Sequence, residues 1–131
     1  MNVPLLDAGG VLLFGYVVIL FLVTATVIEA FVMTFMKFNK VGKCFLDAVL
    51  LNITSLIIGY LLLGFAETIS NKFGNTLQDF VMIMIMFLIT MLIEGGLLLL
   101  LNRGKRAKQV WLTTFVMNLV SYLILWAFLK A

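Results

Sequence analysis

Four long apolar runs, at residues 11–36, 44–66, 80–101 and 110–129, constrain this chain more than anything else in it. Each is long enough to cross about 30 Å of hydrocarbon as a helix. In lipid every backbone N–H and C=O must be paired inside its own segment or within a closed barrel. The runs lack the strict alternation of barrel strands, so helices are the remaining solution. The breaks between them are short. With 64% hydrophobic and 11% charged residues, no stretch is polar enough to make a soluble domain. The expectation is an all-α integral membrane protein, a four-transmembrane-helix bundle in a single membrane domain spanning residues 1–131.

The basic residues orient it. Lys37, Lys40 and Lys43 fall in the break after the first run, and Arg103, Lys105, Arg106 and Lys108 in the break after the third. The middle connection, about 67–79, holds only Lys72, and the C-terminus only Lys130. Short loops rich in Lys and Arg stay cytoplasmic. Both basic loops are therefore expected in the cytoplasm and both termini outside it, in a plasma membrane such as the bacterial inner membrane. The net charge of +3 needs no nucleic-acid partner, because anchors beside anionic lipid account for it. The opening residues lack the basic start of a secretory signal, and Pro4, Gly9 and Gly10 read as a flexible lead. In the middle connection, Asn71, Gly74 and Asn75 supply turn chemistry, and Thr76 or Asp79 is placed to cap the third helix.

A repeat runs through the four segments. Glu29 and Asn52 are separated by 23 residues, Glu94 and Asn118 by 24. Ser55 follows Asn52 as Ser121 follows Asn118, and Lys40 aligns with Lys105, Phe45 with Trp111. Apolar matches between membrane hairpins carry no weight, but Glu, Asn and Ser recurring in order do. The reading is two duplicated helical hairpins, at about 11–66 and 80–129, in parallel orientation about an axis along the membrane normal.

Depth brings the polar groups to one level. Glu29 lies eight residues before Lys37, and Asn52 nine after Lys43. At about 1.5 Å per residue, both sit roughly 12 Å inside the basic-loop edge. The second hairpin repeats this with Glu94 and Asn118. A short loop makes neighbouring helices antiparallel, so each Glu is expected to face the Asn of its own hairpin. Ala48, Asn52, Ser55 and Gly59 form a small and polar stripe, repeated in part by Thr114, Asn118 and Ser121. Thr26 and Thr90 lie one turn from Glu29 and Glu94. The candidate intramembrane polar site is thus Thr26, Glu29, Asn52, Ser55, Thr90, Glu94, Asn118 and Ser121. A carboxyl exposed to lipid at this depth is costly, so both acids must face the bundle interior, a wet cavity or a partner.

Residue usage removes much chemistry. With no histidine and one cysteine, His-ligated haem, zinc sites of the HExxH type, a Ser-His-Asp triad, a CxxC pair and an internal disulfide are excluded. No phosphate-cradling glycine loop appears. Cys44 reads as a buried thiol, and the Met82–Met86 spacing as packing rather than a copper path. The acceptor triplet Asn52-Ile53-Thr54 lies inside an apolar run, out of reach of glycosylation. Catalysis, a cofactor and a bound metal are not expected. The expected role is a non-catalytic membrane subunit or assembly protein with Glu–Asn clamps between helices. Its partners are then the bilayer and either further copies of itself or a larger membrane complex. The alternative is a small proton- or cation-coupled transporter or channel using Glu29 and Glu94.

Overall fold

A computed structural model describes residues 8–131, and within them the fold is four long helices: α1 Ala8–Phe35, α2 Val41–Ser70, α3 Asn75–Leu101 and α4 Ala107–Lys130. All four are long and apolar enough to cross a membrane. Most of their surface stays uncovered and greasy, with Phe31 and Phe128 each 72% exposed. Soluble monomers rarely expose apolar patches of such extent.

The helices run further than the apolar runs, because backbone pairing continues past the last greasy side chain. The connection expected over 67–79 shrinks accordingly. α2 continues to Ser70, one 3₁₀ turn covers Asn71–Phe73, and Gly74 in the left-handed region (φ 72°) starts α3. Among the described residues no side chain caps that start, so Asp79 does not act as expected, and the Thr76 side chain falls outside the described residues; the turn is tied by the Gln78 amide donating to the Asn71 side-chain oxygen. Gly9 and Gly10, read as a lead, lie within α1, while Pro4 and Asp7 fall outside the described residues.

At the other end α1 stops in a Schellman turn, with Lys37 at φ 54°. The Phe38 N–H reaches the Met33 carbonyl and the Lys37 N–H the Thr34 carbonyl, each at 2.9 Å. Lysine stands where glycine is usual. The turn drives Phe38 inward, where the Lys105 ammonium of the second basic loop lies 4.9 Å from its ring centroid.

The helices pack as a square in chain order. α1 meets α2, α2 meets α3, α3 meets α4, and α4 closes on α1, while among the described residues the backbones on the two diagonals stay apart. The buried core lies toward the basic-loop end, around Met33, Cys44, Leu51, Leu98, Val110 and Met117. There Trp111 lies across Gly95 so closely that a Cβ at Gly95 would come within 2.2 Å of its ring.

Candidate functional site

Above that core the square is crossed by one layer of buried polar side chains, and each of its four seams carries one hydrogen bond of the layer. Asn52 on α2 donates its amide to Glu29 on α1 at 2.5 Å. Ser55, one turn further along α2, donates to Glu94 on α3 at 2.8 Å. Asn118 on α4 donates to the other oxygen of Glu94 at 2.8 Å. Ser121 on α4 closes the ring by donating to Glu29 at 3.2 Å. Each carboxyl therefore takes an Asn from one neighbouring helix and a Ser from the other. The Glu–Asn pairing follows from spacing along each hairpin. The serine exchange between α2 and α3 and between α4 and α1 comes from the closed square.

The second amide hydrogen of each Asn is anchored within its own helix, Asn52 to the Ala48 carbonyl and Asn118 to the Thr114 carbonyl, both at 3.0 Å. With both N–H groups held by oxygens, each amide is oriented. The serines are placed differently. Ser55 also reaches the Asn52 carbonyl at 3.2 Å, and Ser121 the Asn118 carbonyl at 3.1 Å. One hydroxyl proton cannot serve a carboxyl and a carbonyl at full strength. Either it goes to the carboxylate, or the carboxyl supplies its own O–H to the serine oxygen and the serine donates to the carbonyl. The heavy atoms stay in place for both arrangements, so each Glu–Ser pair can hold or release a proton without rebuilding the ring.

A cavity of about 410 Å³ begins at this layer. Glu29, Asn52, Ser55, Glu94, Asn118 and Ser121 all line it, and its walls run along Val17–Ala25 of α1 and Gly59–Leu63 of α2, away from the basic loops. Thr90 lines it too and pairs with the Tyr122 hydroxyl at 3.2 Å. Thr26 is buried, but it takes no part in the ring and does not line the cavity. Thr26 stands three residues from Glu29, and closeness in sequence does not bring it into the ring.

Five of the seven basic anchors, Lys37, Lys40, Arg103, Arg106 and Lys108, are exposed at the basic-loop end. Lys105 covers Phe38, and Lys43 is engaged in a second polar cluster absent from the sequence reading. Asp47 is fully buried and ion-pairs with Lys43. It also accepts the Asn102 amide at 3.0 Å, and Asn102 in turn accepts the Asn39 amide at 2.7 Å. This cluster joins the two basic loops beneath the apolar core, and none of its residues lines the cavity. The Lys43–Asp47 spacing of four residues was the available signal, an ordinary helix-face ion pair. Asn39 and Asn102 stand at the two basic loops, and their meeting depends on two chain reversals 63 residues apart.

No family model matches the chain, and no curated protein or solved structure was found to be similar to it.

Proposed function

We propose that this chain is an integral membrane protein made of two parallel copies of one helical hairpin, and that it carries protons or small cations by way of Glu29 and Glu94. The observation that carries the reading is the meeting of a closed acid–amide–hydroxyl ring with a one-sided cavity. A layer that served packing alone gains nothing from a void beside two carboxyls, and buried acids in such a setting are most often functional.

Duplication is supported by more than the recurring letters. Under a shift of 65 or 66 residues, Glu29, Met33, Cys44, Asp47, Ala48, Leu51 and Asn52 correspond to Glu94, Leu98, Val110, Thr113, Thr114, Met117 and Asn118, and every member is buried. The four ring bonds map onto one another under the same shift. A two-fold axis along the bundle relates α1 to α3 and α2 to α4, in keeping with the square in which those pairs sit on diagonals. The charge distribution favours basic loops in the cytoplasm of a plasma membrane and both termini outside. The cavity then faces outward, and the Asp47–Asn102–Asn39 cluster forms the inner seal.

The test is proton flux in proteoliposomes, with Glu29→Gln and Glu94→Gln beside the unmodified chain. At position 94 a glutamine oxygen can accept from Asn118 while its amide donates to Ser55, whose proton turns to the Asn52 carbonyl. Folding is kept and proton exchange is lost. Carriage requires flux in the unmodified chain and its disappearance in both variants.

A second reading is supported by the ring itself, which ties all four seams and so suits a non-catalytic subunit or assembly protein docking a membrane partner. It expects no flux and variants indistinguishable from the unmodified chain.

A further inference from the structure

The oxygen atoms of the twin-acid layer outnumber its hydrogens. Asn118 is fully buried and lines the cavity, and its side-chain oxygen has no partner. It cannot be rescued by flipping the amide, since both N–H groups already serve Glu94 and the Thr114 carbonyl. That oxygen is closed off from the cavity, so the layer carries an acceptor in excess of its donors even before the cavity is filled. Glu29 and Glu94 each receive two ring bonds, whereas a carboxylate offers roughly four acceptor positions. On the donor side the cavity is poor. Its lining contains no Lys or Arg, and the Thr90 and Tyr122 hydroxyls spend one of their two hydrogens on each other. Whatever fills it must bring its own N–H or O–H groups, and positive charge suits it.

Size and wall chemistry narrow the class. A volume of about 410 Å³ far exceeds the roughly 30 Å³ share of one water, so a bare inorganic ion leaves most of it empty. Beyond the acids the walls are apolar, with Val17, Phe21, Leu63, Met86 and Leu125 along the sides. Phe21 and Tyr60 add aromatic rings suited to a cation. Among the described residues no group of three or more His, Cys, Asp or Glu side chains is placed to hold a metal.

We infer that the cavity is a binding site for a small organic primary ammonium, its N–H groups received by the carboxyls of Glu29 and Glu94 that line it and its apolar body lying among the four helices. The inference rests on the carrier reading and names its substrate class.

The experiment is calorimetric titration of the purified full chain in dodecyl maltoside with benzylammonium. Benzyl alcohol, benzyltrimethylammonium and sodium serve as comparators. The neutral alcohol keeps the body and loses the charge, the quaternary ion keeps charge and loses every N–H, and sodium loses the body. Benzylammonium is expected to bind saturably and at least about tenfold more tightly than each of the three. Glu94→Gln should weaken it by a similar factor while helical content and elution volume stay unchanged. Leu125→Trp, which fills the apolar part and leaves the ring alone, should abolish amine binding and retain proton flux. Equal binding of the alcohol or of the quaternary ion overturns the proposal, as does sodium binding as tightly as the amine. No saturable binding by correctly folded protein overturns it too. If Glu-dependent proton flux persists in that last case, only the substrate class falls; if flux is also absent, the carrier reading falls with it.

Discussion

Glu29→Ala paired with Asn52→Leu in a double-mutant cycle measures what one seam of the ring contributes. Removing the carboxyl takes away the acceptor of one Asn52 N–H and of Ser121. The two losses are unequal. Ser121 still has the Asn118 carbonyl at 3.1 Å, so its proton simply turns, and that contact should cost close to nothing. Asn52 keeps the Ala48 carbonyl for one hydrogen and has nothing for the other. One buried, unsatisfied N–H costs about 1–3 kcal/mol by the general rule. Side-chain hydrogen bonds inside membrane proteins run lower, averaging about 0.6 and reaching about 1.7 kcal/mol, because the unfolded chain in the membrane also finds partners. A 2.5 Å bond to a carboxyl in a buried layer belongs at the upper end. The expected coupling between positions 29 and 52 is therefore about 1–1.7 kcal/mol. Glu29→Ala with Ser121→Ala should couple by less than about 0.5 kcal/mol, within the scatter of additive pairs. The assay is unfolding in dodecyl maltoside by added SDS, followed by far-ultraviolet circular dichroism. Glu29→Gln, which retains an oxygen for Asn52, should be near neutral in the same titration. The reasoning fails if the Asn52 coupling is no larger than the Ser121 coupling, or if Gln destabilises as much as Ala.

Three further outcomes follow from other parts of the molecule. Gly95→Ala should cost about 1–3 kcal/mol in the SDS titration, since its Cβ would fall within 2.2 Å of the Trp111 ring, and Trp111→Leu in the same background should restore most of the loss. Asn102→Ala removes the amide from Asp47 and the acceptor from Asn39 together, so it should cost about 1–3 kcal/mol, measurably more than Asn39→Ala. For the proposed topology, a reporter fused after Ala131 should be active outside the cytoplasm and silent within it, and the reverse result refutes the orientation drawn from the basic loops.

The sequence alone determined the helical class, because a run of about twenty apolar residues has one economical way to pair its backbone in the absence of water. It also determined the level of the polar layer, because distance along a helix is proportional to residue count, and Glu29, Asn52, Glu94 and Asn118 could be counted from the basic breaks. The ends of the helices were less legible. Hydropathy reports side chains, whereas a helix continues while backbone bonds continue, as from Ala66 to Ser70. Only the tertiary structure decided how the hairpins close. Ser55 serves the acid of the other hairpin, and Ser121 does likewise, because the square brings α2 against α3 and α4 against α1. The same closure buries Asp47 against Asn102, leaves the Asn118 oxygen bare, and opens a cavity beside the acids. Those features depend on helix rotation and side-chain packing between segments far apart in the chain. Periodicity within any one segment holds no record of them.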